Sequence, residues 1–215
     1  LHSTSRRQRQ MCIRDRHTVE HEMKSDGIGY IRITEFDSVT YDQFASALED
    51  LEAQGMTGLV IDLRDNPGGN LDTVCDILDL ILPEGTIVST KDKNGEGETY
   101  TSDEEHKLEI PLSVLTNGNS ASASEIFAGA VQDYGVGTLV GTTTFGKGIV
   151  QQIFPLTDGT SIKLTISEYF TPKGRNIHGT GIDPDVEVEY EYNEEDPAAD
   201  NQLEKAIEIV KGNGM

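Results

Sequence analysis

Ser122, within NGNSASASEIFAGA (117–130), and Lys147, within FGKGIVQQ (145–152), are the residues whose types and setting could do chemistry together. Ser122 falls where an Asn/Gly turn gives way to a helical pattern. Its hydroxyl would stand at a helix mouth, beside the unbonded N–H groups of the first turn, which can stabilise a developing oxyanion. Ala121 and Ala123 leave room for a carbonyl to approach. Lys147 lies in GTTTFGKGIVQQ, a window without a carboxylate in a chain that holds 38 acidic residues. Phe145 and Ile149 offer it apolar walls, and a lysine acting as a base must reach its neutral form, which such surroundings favour. A serine next to that lysine makes a nucleophile–base pair for acyl transfer. RDNPGG (64–69) would add a second oxyanion donor from the amide of Gly68 or Gly69.

The same residues also admit plain structural readings. Ser122 with Glu125 spells S-x-x-E, a capping box, and Ser120 could cap equally well. Lys147 between two glycines fits a simple turn, and GKGI lacks the full phosphate-loop pattern. His178, in NIHGTGIDPD, is a rival base for a Ser–His–Asp arrangement. Cys75, in DTVCDILDLIL, reads as one buried face of a helix, and His17, His21 and His106 are scattered among charges. No H-E-x-x-H motif or Cys/His cluster is present, so neither zinc nor another cofactor is expected.

The elements that must position these residues follow from periodicity. GIGYIRI reads as a strand ending near Thr34. In TYDQFASALEDLEAQG, Phe44, Leu48 and Leu51 recur at helical spacing, and Gly55 ends the run. GLVIDL (58–63) has the continuous apolar character of a buried parallel strand. A helix from Leu71 to Leu82 stops at Pro83, and a hairpin turns at Asn94-Gly95. PLSVLT leads into the helix SASEIFAGAVQDY; GTLVG, GIVQQIFPL and SIKLTISEYF read as strands, the last two joined at Asp158-Gly159. VEVEYEY alternates like a half-exposed edge strand, and Leu203, Ala206, Ile207 and Val210 share one face of a final helix. This β-α-β-α order predicts one layered α/β domain over residues 27–215 with right-handed crossovers.

A hydrophobic share of 35% and a charged share of 26% fit a soluble globular chain, and its net charge of −21 argues against nucleic acid or an anionic membrane as partner. Residues 1–16 hold five Arg and one Asp, so residues 17–215 carry −25. MCIRDR resembles the translated end of a sequencing adaptor, and this basic arm is expected to be non-native.

LVIDLRDNPGG, NGNSASASEIFAGA, GTTTFGKGIVQ and YFTPKGRNIHGTGIDPDV, in this order and spacing, resemble the C-terminal processing peptidases, or tail-specific proteases, over about residues 19–211. The resemblance implies a β/α sandwich of the ClpP/crotonase type and a Ser–Lys endopeptidase that works through an acyl-enzyme. It assigns the nucleophile to Ser122, the base to Lys147 and the lysine-orienting glutamine to Gln151. The oxyanion hole falls to the amides of Ala123 and Gly68, with Gly69 the alternative to Gly68. The family carries a PDZ domain ahead of the catalytic core; no PDZ-like segment is recognisable here, and residues 17–26 match only the strand that follows one. Substrates would be proteins with accessible, often apolar C-terminal tails, met outside the cytoplasm or at the membrane. Two other readings share the fold: a catalytically silent peptide binder and a crotonase-like acyl-CoA enzyme.

Overall fold

Strand alternation and the 3.6-residue helical turn sort the apolar side chains of this chain into two cores. The computed structural model describes residues 16–103 and 105–212. Cys12 and all of the basic arm except Arg16 lie outside the described residues. Strand β1 (Val19–Met23) leads through a short 3₁₀ turn into β2 (Ile28–Ile33) and helix α1 (Thr40–Ala53). Then come β3 (Gly58–Asp62), α2 (Leu71–Asp79), β4 (Gly85–Lys91), β5 (Thr99–Ser102), β6 (Leu112–Thr116) and α3 (Ala123–Tyr134). β7 (Thr138–Gly141), β8 (Ile149–Pro155), β9 (Ser161–Phe170), β10 (Val186–Glu187) and α4 (Asn201–Gly212) complete the order.

One sheet has the order β1-β2-β3-β6-β7-β10, parallel except at the antiparallel β1–β2 edge. A second, wholly antiparallel sheet has the order β5-β4-β9-β8. Ile31, Ile33, Leu59, Ile61, Val114 and Leu139 face the main core with α1, α2 and α3. The alternate residues Ile28, Val60, Leu115 and Val140 face Ala206 and Val210 of α4. The larger sheet is therefore covered on both sides, which is why its central strands read as unbroken apolar runs. Ile77 and Leu78 of α2 are fully buried, and each such side chain contributes about 1.5–3 kcal/mol. Ile87, Val88 and Tyr169 carry the second sheet into the same core.

α1 ends as expected, with Gly55 at φ +83° past its last turn. α2 is shorter than expected, because beyond Asp79 the N–H groups of Leu80 and Ile81 turn back to the Ile77 and Leu78 carbonyls. VEVEYEY departs more. Only Val186 and Glu187 pair, and they do so with β7, which ends at Gly141; a last bond runs from the Val188 N–H to the Gly141 carbonyl. Beyond that bond, side-chain amides of α4 take over three backbone groups: Gln202 donates to the Val188 carbonyl, Asn201 donates to that of Glu189, and the Glu191 N–H donates to Asn201 Oδ1. Tyr190 and Tyr192 are consequently exposed. α4 is also anchored by Arg64, which donates to Asp62 from β3 and to Asp200 and Gln202.

Candidate active site

Two turns leave the C-terminal ends of the adjacent parallel strands β3 and β6, and they are bonded to each other. Asn66, fully buried, donates through its amide to the Ile33 carbonyl, while its own carbonyl accepts the Ala121 N–H and the Ser124 hydroxyl. Asp65 accepts from the side-chain amides of Asn117 and Asn119, and these bonds hold its carboxyl below the usual carboxylate range. Ser120 donates to the Leu63 carbonyl, so it closes the turn and does not cap the helix.

At the junction with α3, Ser122 has φ 58° and ψ −113°. This backbone conformation is strained for a residue with a side chain, costs on the order of 1–3 kcal/mol, and is the elbow geometry that lifts a nucleophile out of its turn. Capping-box geometry is present, but the bond of the Glu125 N–H runs to the Ser122 carbonyl at 2.9 Å. Ala123, the first helical residue, lines the cavity beside Ser122, and its N–H lies ahead of the helical ladder.

Gly68 packs directly under this elbow. A Cβ there would lie 2.5 Å from the Ala121 oxygen, 2.8 Å from the Ala123 nitrogen and 2.8 Å from the Ser122 Cβ. Its own N–H donates to Asn66 Oδ1 at 2.8 Å. Gly68, expected as an oxyanion donor, is thus committed elsewhere, and Gly69 is the glycine of the pair that lines the cavity.

That cavity has a volume of about 300 Å³ and gathers Gly69, Ser122, Ala123, Lys147, Gln151 and Tyr169, with Leu71, Ile126, Ile149 and Val150 as apolar walls. Lys147 therefore comes to the same hollow as Ser122. Phe145, expected as a wall, points out at 65% exposure, its N–H held by the Ser120 carbonyl. Gln151 lines the hollow, but its amide donates to the Thr165 hydroxyl at 3.4 Å, a long bond within the β8–β9 ribbon. His178 is exposed and does not reach the cavity; its loop packs on Gly146 and Gly148. His21 and His106 sit near the surface against Asp50 and Asp103. Cys75 is buried, and burial followed by Asp72 and Asp76 pushes its thiol up to about 12, which leaves it unreactive.

Two residues that sequence reasoning did not assign to the site organise it. The surroundings of Lys147 lack a carboxylate in sequence but not in space. Glu125, 0% exposed, accepts the N–H groups of Ser122 (2.8 Å), Lys147 (2.8 Å) and Gly146 (2.6 Å) and the Thr144 hydroxyl (2.7 Å). Its one signal in sequence was the S-x-x-E spacing, which accounts for a single bond of the four. Tyr169 of β9 places its hydroxyl between the carbonyls of Ser122 and Lys147. Nothing in the local pattern of a β-strand announces that role.

A family model described as Peptidase family S41 matches residues 27–188. The carboxyl-terminal-processing protease of Synechocystis sp. is 45% identical over 188 residues, which cover 86% of this chain and 44% of that protein. The carboxy-terminal processing protease CtpB of Bacillus subtilis is 42% identical over 170 residues, 79% of this chain and 35% of that one. Among solved structures, the photosystem II D1 C-terminal processing protease superposes with a TM-score of 0.74 at 32% identity, covering 80% of this chain and 48% of its own. The chain thus spans less than half the length of the relatives it matches here.

Proposed function

Because the chain belongs to peptidase family S41, we propose that it is the catalytic core of a serine endopeptidase working by a Ser122–Lys147 dyad. The observation that carries this reading is the strained elbow at Ser122 opening into one cavity with Lys147. Lys147 in its neutral form takes the Ser122 proton as the hydroxyl oxygen attacks the scissile carbonyl. The negative charge that develops on the carbonyl oxygen is met by the amides of Ala123 and Gly69; the bond between Gly68 and Asn66 supports Gly69 as the second donor. Collapse of the tetrahedral intermediate returns the proton to the departing amine. Water, deprotonated by Lys147, then releases the acyl group and restores the hydroxyl. Gln151, two strand positions beyond Ile149, orients the lysine once its long bond to Thr165 is given up.

Apolar walls from Leu71, Ile126, Ile149 and Val150 suit an aliphatic substrate side chain. Resemblance to C-terminal processing proteases supports protein substrates with accessible C-terminal tails, an extracytoplasmic setting, and a PDZ domain in cis in the longer protein. No helix among the described residues is long and apolar enough to cross a membrane.

The test uses Ser122→Ala and Lys147→Ala with an unstructured protein as substrate and a fluorophosphonate as active-site label. Both variants should lose cleavage while keeping the circular dichroism of the parent; Ser122→Ala should take no label, and Lys147→Ala should label much more slowly than the parent but measurably. Turnover retained in either variant refutes the dyad, and a folded parent that takes no label favours a silent peptide binder.

A further inference from the structure

Ser122 and Lys147 come from different turns, and their backbones are bracketed from two sides. On the amide side, a single oxygen, Glu125 Oε2, accepts both N–H groups at 2.8 Å. On the carbonyl side, the Tyr169 hydroxyl lies 2.9 Å from the Ser122 oxygen and 2.6 Å from the Lys147 oxygen. The Ser122 carbonyl has further donors in the N–H groups of Glu125 and Ile126, so the shorter bond, to Lys147, is the one that ties the lysine loop down. A phenol has one proton to donate, and here it sits between two carbonyls. Without it, two oxygen ends would face the same buried space with no donor between them.

We infer that Tyr169 is a positioning residue for the dyad: its hydroxyl locks the loop of Lys147 to the turn of Ser122, so that the amine is delivered to the nucleophile. This rests on the dyad reading above. Tyr169 is 2% exposed, and burial, with the nearby Glu125 carboxylate, pushes its phenol well above the usual range, so it stays a donor wherever the fold survives. Its ring packs in the main core, and only the hydroxyl reaches the dyad backbone.

The experiment measures the rate of fluorophosphonate labelling of Ser122 in the 215-residue chain, with Tyr169→Phe, Lys147→Ala and the double variant, at a temperature where circular dichroism shows all to be folded. Displacement of a reacting group by an ångström costs up to about a hundredfold, so Tyr169→Phe should slow labelling about tenfold or more. In the Lys147→Ala background the same change should matter less than about twofold, because nothing is left to position. Replacing Tyr169 with 4-aminophenylalanine, which restores a donor, should recover the rate. Should Tyr169→Phe not fold, 4-aminophenylalanine against 4-fluorophenylalanine gives the same comparison with the same two readings. Labelling of Tyr169→Phe at the parent rate overturns the inference, as does an equal loss with and without Lys147, which marks a merely structural effect. If the unaltered chain takes no label, or Lys147→Ala labels as fast as the parent, the dyad reading itself falls and takes this inference with it.

Discussion

Replacing Glu125 with glutamine removes a charge and one acceptor from the centre of the site while barely changing its shape. The new amide group has two ways to point. Turned toward Ser122 and Lys147, it would oppose two backbone N–H groups; turned toward Thr144, it would oppose one, from Gly146, because the Thr144 hydroxyl can rotate and accept. The second orientation should win. It orphans the Gly146 N–H, at about 1–3 kcal/mol, takes the acceptor from the proton of the Thr144 hydroxyl, whose oxygen already accepts the Ile182 N–H, and turns the remaining charge-assisted bonds into neutral ones of roughly half the strength. Relief from no longer burying a charge offsets part of this, leaving a net loss of about 2–4 kcal/mol. For a chain of this size that lowers Tm by on the order of 5–15 °C. Glu125→Ala is harsher: four donors lose their acceptor at about 1–3 kcal/mol each, a total that rivals the whole stability of a domain. Thermal melts followed by circular dichroism at neutral pH test both. A Glu125→Gln variant melting within about 2 °C of the parent, or a Glu125→Ala variant as stable as the parent, would refute the account of Glu125 as the common acceptor of both turns.

Gly68→Ala should lose phosphonate labelling and melt lower than Gly159→Ala: both sites have positive φ, but only at Gly68 does the added carbon meet the Ser122 elbow, and equal melting and labelling of the two would discount the crowding. Burial opposes the ionised form of Asp200, yet its bonds from Arg64 and the Leu203 N–H outweigh this and lower its pKa. A lowered carboxylate pKa stabilises the fold above the ordinary value of about 4 and loses that contribution as pH falls through the folded value. The Tm gap between the parent and Asp200→Asn should therefore be full at pH 7 and close in acid below about pH 4; a gap unchanged in strong acid would show that the pairing with Arg64 is not its source.

What could be seen in the sequence was whatever local spacing controls. GLVID and LSVLT announced buried parallel strands because both of their faces are covered, and Ser122 stood out because strand, turn and helix signals converge on it. What could not be seen depended on partners distant along the chain. Glu125 is joined to the Thr144–Lys147 loop only by the fold, so the S-x-x-E reading made it a cap and no more. The choice between Gly68 and Gly69 turns on where one Asn66 oxygen points. VEVEYEY alternates like a strand, but alternation cannot supply the neighbour that β7 is too short to be. The anchoring of α4 joins Arg64 to Asp200 across 136 residues.

Tyr169 stands 47 positions after Ser122 and 22 after Lys147. During synthesis Ser122 and Lys147 leave the ribosome well before the phenol that bridges their carbonyls. A nascent or prematurely ended polypeptide can thus contain the serine and the lysine without the hydroxyl that bonds both of their carbonyls. Under the proposed dyad, proteolytic competence is deferred until β9 has been made and has docked.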